Sequence, residues 1–152
     1  MRVYQAPEAM ASFYPKSLFL AGSIENGTAE QWQERVIELL IDKNYNILNP
    51  RRDDWDSNLE QNIENGQFRE QVEWELNYLK RADFVLFYFS PETKAPITLL
   101  ELGLMAGQYP RKCIVVCPEG FYRKGNVDIV CKTYGIRQVA SLEDAVELIP
   151  KI

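Results

Sequence analysis

Two glutamates stand where glutamate is least at home. In the segment 67–81 the apolar residues Phe68, Val72, Leu76 and Leu79 recur at helical spacing, and Glu75 lies three after Val72 and four before Leu79. The segment 97–108 repeats the pattern with Ile97, Leu100, Leu104 and Met105, and Glu101 lies four after Ile97 and three before Leu104. Both carboxylates are therefore expected on a core-facing stripe. Glutamate is almost never fully buried unless paired. A buried, unpaired carboxylate is strongly disfavoured or takes up a proton. Glu75 can also be read as a stripe-edge residue whose carboxylate reaches water. Glu101 has fewer wet directions, because Leu99, Leu100, Leu102, Leu104 and Met105 leave its helix apolar nearly all round. Two carboxylates in one low-dielectric cleft can hold opposite protonation states, one an acid and one a nucleophile. Glycosyl chemistry needs such a pair, since a departing group must be protonated while an oxocarbenium-like centre is stabilised.

These two helices belong to an alternating series. Ser17–Ala21, Tyr45–Asn49, Asp83–Phe89, Lys112–Cys117 and Ile136–Ala140 read as short strands, and the third is apolar throughout, as a strand buried on both faces must be. Helices are expected from Thr28 to near Asn44, over 67–81, 97–108 and 127–134, and after Ser141. Thr28 with Gln31 fits a capping box, and Ser141 with Asp144 fits a second N-cap. Strand and helix alternating five times predict an α/β fold, a flavodoxin-like three-layer sandwich with a five-stranded parallel sheet in the order 2-1-3-4-5. The whole chain, 1–152, reads as one domain, with 1–16 as an irregular N-terminal arm carrying Pro7 and Pro15. Ligands of such sheets bind outside the carboxyl ends of the strands, at the switch between strands one and three. The loops there are 22–27, 50–66 and 90–96.

Composition removes several function classes. There is no histidine, which excludes Ser-His-Asp triads, Cys-His pairs and histidine proton shuttles, so carboxylates, Tyr, Lys or Cys must move any protons. A net charge of −5 without a basic run argues against a nucleic-acid polymer as partner. No apolar run approaches a membrane span, and Met1–Ala6 does not resemble the start of a signal peptide, so a cytoplasmic location is expected. Cys113, Cys117 and Cys131 form no Cys-x-x-Cys pair and are expected to be buried, inert thiols. Gly22 and Gly27 bracket a loop after a strand but lack the Lys and Ser/Thr of a phosphate-binding loop. Asp53, Asp54 and Asp56 lack calcium-loop spacing and read as a solvated loop, so no metal or cofactor is expected. Trp55 is a stacking candidate for a base, and Tyr88 closes the third strand near the site.

Three stretches together carry a family resemblance. Leu18-Phe19-Leu20-Ala21-Gly22-Ser23-Ile24, then Glu75-Leu76 with Leu79 and Ala82-Asp83 ahead of an apolar strand, then Leu100-Glu101-Leu102-Gly103, resemble in order the signatures of the nucleoside 2-deoxyribosyltransferase family over roughly residues 17–117. The resemblance implies that Glu101 attacks C1′ of a 2′-deoxynucleoside and that Glu75 donates and accepts the proton of the base. It implies that Gly22, Ser23 and Ile24 line the floor of the site, and Asp53, Trp55, Tyr88 and Thr98 are taken with them as candidate substrate contacts. A free nucleobase, for transfer, or water, for hydrolysis, would be the second substrate, with no cofactor, and a homo-oligomer would complete the sites. Two departures matter. Ala95 stands where the family usually has an Asp for the sugar hydroxyls, so Thr98 or Glu92 must substitute, and Leu100 replaces an aromatic residue. Related enzymes hydrolyse 2′-deoxynucleoside 5′-phosphates using an Arg in the first loop, which here is Ile24-Glu25-Asn26-Gly27, so a free nucleoside is favoured unless Arg51 or Arg52 serves instead. The other readings are a non-catalytic nucleoside- or nucleotide-binding module and, more distantly, a flavodoxin-type flavin protein.

Overall fold

The near-continuous apolar runs become neighbouring strands of one parallel sheet. A computed structural model describes residues 1–11 and 16–150. Its sheet is six-stranded and all parallel: β1 (Arg2–Gln5), β2 (Lys16–Gly22), β3 (Tyr45–Asn49), β4 (Phe84–Tyr88), β5 (Cys113–Val116) and β6 (Arg137–Val139), in the order β1-β3-β2-β4-β5-β6. The five expected strands keep their expected order. The sixth, β1, corrects the expectation of a wholly irregular arm: Arg2 to Gln5 pair with Asn46 to Asn49 at the sheet edge. Tyr4 and Ala6 are buried there, Trp74 Nε1 donates to Glu8 O (2.8 Å), and Met10 N donates to Tyr78 Oη (2.7 Å). Residues 12–15 of that arm lie outside the described residues.

Five α-helices flank the sheet among the described residues: α1 (Trp32–Leu39), α2 (Gly66–Arg81), α3 (Pro96–Gln108), α4 (Lys124–Tyr134) and α5 (Leu142–Leu148). Right-handed crossovers send α2, α3 and α4 to one face and α1 and α5 to the other. The cores agree. Trp74, Tyr78, Leu102, Met105 and Cys131 pack with Phe19 and Phe87, whereas Trp32, Val36, Ala145 and Val146 pack with Leu20 and Ile114. Asn65 caps α2 through Phe68 N, and Ser141 caps α5 through Asp144 N as expected. The capping box at Thr28 does not form, because α1 begins four residues later and Thr28 Oγ1 donates to Glu25 O instead (2.7 Å).

Both glutamate helices are rotated relative to the expected stripes. In α2 the buried residues are Gln71, Trp74, Tyr78 and Leu79, while Leu76 is exposed. In α3 they are Thr98, Glu101, Leu102, Met105 and Ala106, while Ile97, Leu100 and Leu104 face outward. Glu101 is thus buried on a stripe other than the expected one. No helix among the described residues is long and apolar enough to cross a membrane.

Candidate active site

Parallel strands end together, so the loops after β2, β3 and β4 share one edge of the sheet. Ser23 is fully buried there and ties two of them: its Oγ accepts from Ser90 N (3.0 Å) and shares a hydrogen bond with Thr93 Oγ1 (2.6 Å). Gly22 fits because a Cβ on it would lie 2.4 Å from Trp32 Cζ2 and 2.7 Å from Tyr88 O. Ile24, partly buried, leads into the turn Glu25–Gly27.

Between these loops lies a cleft of about 590 Å³ whose lining includes Glu25, Thr28, Glu30, Tyr88, Glu92 and Thr93. Its wall is acidic, but two of the three acids are engaged. Tyr88 Oη donates to Glu30 Oε1. Glu25 Oε1 accepts from Lys94 N (3.1 Å) and Ala95 N (2.7 Å), immediately ahead of α3. Glu25 and Ala95 both adopt the left-handed region, with φ of 49° and 46°, a strained choice for residues with a Cβ. The helix end they secure carries Thr98, buried one turn before Glu101 on the same face.

Glu75 and Glu101 do not line this cleft. They lie on the other face of the sheet's edge, between α2 and α3. Glu101 is 6% exposed, and no hydrogen bond reaches its carboxyl among the described residues. Burial, with the neighbouring Glu75 charge adding to it, pushes the Glu101 carboxyl well above the ordinary carboxylate range. Burial also raises Glu75, partly offset by the hydrogen bond it accepts from Gln71 Nε2 (2.7 Å). Such a pair favours holding a shared proton over bearing two charges. Its more ionisable member is Glu75, which has a donor.

The loop after β3 supplies the remaining candidates. Arg51, buried, donates to the carbonyls of Gly27, Ala29 and Glu30 (each 2.8 Å) and to Gln33 Oε1 (3.3 Å), so it clamps the first loop and has no fork left for a phosphate. Arg52 forks onto Asp54 and lies 5.8 Å from the ring of Trp55, which is partly buried. Asp53 is exposed, and no cluster of metal-ligating side chains occurs among the described residues. The three cysteines are buried, their thiols pushed up by burial to about 12, 11 and 11 for Cys113, Cys117 and Cys131. Sequence reasoning missed Glu25 and Gln71. Gln71 carries a legible signal, four residues before Glu75 on one helix. Glu25 reaches a helix end 70 residues away, and no local pattern announces that.

No curated protein matches the chain significantly. Among solved structures, a conserved protein from Enterococcus faecalis V583 superposes with a TM-score of 0.59 at 12% identity, over 87% of this chain and 95% of that one. That likeness concerns the fold. The model of the family described as nucleoside 2-deoxyribosyltransferase like matches residues 15–121, a span holding β2 to β5 and both glutamates. With more than two thirds of its length so matched, the chain belongs to the nucleoside 2-deoxyribosyltransferase-like family.

Proposed function

We propose that this protein, a single domain, cleaves and transfers the N-glycosidic bond of 2′-deoxynucleosides through a covalent deoxyribosyl ester on Glu101. The observation that carries the reading is a pair of glutamates on neighbouring helices, Glu101 buried and Glu75 partly buried, both raised in proton affinity by burial, in a chain of this family. The reactive arrangement has one proton, on Glu75, and the negative charge on Glu101. A Glu101 carboxylate oxygen bonds to C1′, the C1′–N bond breaks with its electron pair passing to the base, and Glu75 protonates the departing base. A second base then attacks C1′ through nitrogen, the ester C1′–O bond breaks, and Glu75 takes up the incoming base's proton. Two inversions retain the β-configuration. Burial of Glu101 favours its neutral form in the free protein, so moving the pair's proton to Glu75 is part of reaching the reactive state. Gly22, Ser23 and Ile24 hold the loop edge in place, and Thr98, Tyr88, Asp53 and Trp55 remain the substrate-contact candidates.

A free nucleoside fits better than a 5′-phosphate. Both Nη groups of Arg51 are taken by the carbonyls of Gly27, Ala29 and Glu30 and by Gln33, so it offers no fork to a phosphate. The reading also includes a second copy of the chain, because Ile97, Leu100 and Leu104 form an exposed apolar row on α3, the helix that carries Glu101. Light scattering at micromolar concentration is expected to give at least a dimer, and a 17.6 kDa species would remove that part. The test of activity is incubation with 2′-deoxynucleosides and a second free base, followed by chromatography. New nucleoside is expected. Free base alone would convert the reading to hydrolysis, and neither product across purines and pyrimidines would leave a binding module.

A further inference from the structure

The outer face of α3 is apolar, uncharged and notched. Glu101, which is buried, is the only charged residue between Pro96 and Gln108. On the solvent side Ile97 (57% exposed), Leu100 (60%) and Leu104 (40%) stand bare. Gly103 and Gly107 are exposed beside them, and a Cβ on either would meet nothing within 4 Å. Glycine inside a helix weakens it relative to alanine. Both glycines have helical backbone and open space around them, so nothing within their own chain requires their smallness. A surface of exposed leucines set between unexplained glycines is the shape of a helix–helix contact whose second helix comes from another chain.

The pattern itself names the occupant. Leu100, Gly103, Leu104 and Gly107 lie within about 100° of one another around the helix axis and read large, small, large, small along it. The surface that fits this order is the same order reversed. In an antiparallel pair related by a two-fold axis, Leu100 meets the partner's Gly107 and Leu104 meets the partner's Gly103, and symmetry repeats both contacts. A parallel pair would set leucine on leucine and glycine on glycine. The antiparallel pair also opposes the two helix dipoles favourably. Charge agrees: a chain of net charge −5 meets its like with least repulsion through a face that carries no charge. We infer that α3 is the seam of a two-fold, antiparallel dimer in which Leu100 and Leu104 of each copy fill the glycine notches of the other. This rests on the reading of a second copy above and gives that copy its surface and its direction. The seam lays the two Glu101 helices against each other, with each Glu101 kept inside its own chain.

Sedimentation of a dilution series gives the dimer dissociation constant of the unaltered protein, of Gly107→Leu and of Ile41→Glu. Gly107→Leu fills one notch in each copy and should weaken association by about tenfold or more. The free chain has room for the added side chain, and leucine is the better helix former, so the variant should melt no lower than the unaltered chain at concentrations where both are monomers. Ile41→Glu changes a residue just as exposed (64%), beyond α1 on the other side of the sheet, and should leave association unchanged. Direction is read by disulfide capture under mild oxidation, since the three native thiols are buried. Leu100→Cys combined with Gly107→Cys in one chain should give a covalent dimer. Leu100→Cys alone should not, because positions 100 and 107 are seven residues apart and its two copies therefore lie about 10 Å apart along the seam, beyond the reach of a disulfide. Capture through Leu100→Cys alone would show a parallel seam and overturn the inference. A dimer untouched by Gly107→Leu and not captured by the double variant also overturns it, and leaves the second copy standing on another surface. A monomeric unaltered protein overturns both.

Discussion

The two acidic regions at the carboxyl edge of the sheet use the same side chain in opposite ways. In the open cleft, Glu30 accepts from Tyr88 and Glu25 accepts from two backbone amides at the start of α3, and both carboxylates sit where water can reach. Between α2 and α3, Glu101 has burial, a like-charged neighbour and no donor among the described residues. In the cleft the donors hold each carboxylate still. A carboxylate without them is destabilised as an anion, and that is the condition under which carbon becomes an acceptable partner. The proposed chemistry is therefore assigned to the Glu75/Glu101 pair rather than to the open cleft.

The sharpest way to break this contrast is Glu101→Ala. Turnover should fall by about 10³-fold or more, the scale on which loss of a covalent nucleophile is felt. The melting temperature should stay or rise, because a strained carboxyl is removed and alanine is the better helix former. A scaffold glutamate would do the reverse, losing stability first and activity only in proportion to unfolding. Activity and melting temperature measured on the same variant separate the two.

Glu75→Gln is the next largest. Loss of a general acid–base group should lower transfer by about 10²–10⁴-fold. It should also remove the Glu75 charge that helps hold the Glu101 carboxyl high. The acidic limb of whatever activity remains should move to lower pH, which a pH–rate profile would record. An unmoved limb would mean that the two carboxyls do not sense each other.

These expectations depend on burial that the sequence conveyed unevenly. The five expected strands and their order were legible, most clearly where a strand covered on both faces has no alternative use for a run such as Phe84–Phe89. β1 was not, since four residues at an edge with one buried tyrosine carry no period. The helices were legible as helices, but their phase was not. α3 is apolar nearly all round, so spacing cannot say whether Ile97, Leu100 and Leu104 or Thr98, Leu102 and Met105 face the sheet, and the second set does. In α2 the polar Gln71 lies on the buried face and the apolar Leu76 on the exposed one, a reversal that only the neighbouring elements decide. The two glutamates were legible as misplaced acids. The anchoring of Gln71, which donates to Glu75, was not, because the Pro50 carbonyl that also accepts from it comes from a loop without regular pattern.

A smaller effect distinguishes the pair through linkage. Glu101 and Glu75 are raised in the folded protein relative to the ordinary value of 4.5. The folded state thus binds more protons than the unfolded chain above that value. The stabilisation this gives is full below about pH 4.5 and is lost as pH rises through the folded-state values. Each such group contributes at most about 1.4 kcal/mol per pH unit. Glu101→Gln should flatten the decline, so that urea unfolding at mildly acidic and at neutral pH gives a smaller difference than in the unaltered protein. Asp128, Glu143 and Asp54 are lowered by hydrogen-bonded partners and bend the curve the other way, but they are common to both proteins and cancel in the comparison.

Glu25→Ala tests the wet side of the contrast and should give the smallest change. The carboxylate serves as a cap for α3 supplied from a distant loop, since Ala95 has no side chain able to hold the Lys94 and Ala95 amides. Loss of a capping oxygen costs about 0.5–2 kcal/mol. A chain of this size should then melt about 2–8 °C lower. Part of that loss is returned, because residue 25 no longer has a carboxylate to deliver and its left-handed backbone can relax. Turnover should stay within about tenfold, since Glu101 lies on the second turn of α3 and is held by the packing of Leu102 and Met105 against the sheet rather than by the first amides. Glu25→Gln should recover most of the stability, its amide oxygen accepting from the same two N–H groups. If Glu25→Ala instead abolished turnover in a protein that remained folded, Glu25 would belong to the chemistry, and the boundary between engaged and disengaged carboxylates would have to be moved to include it.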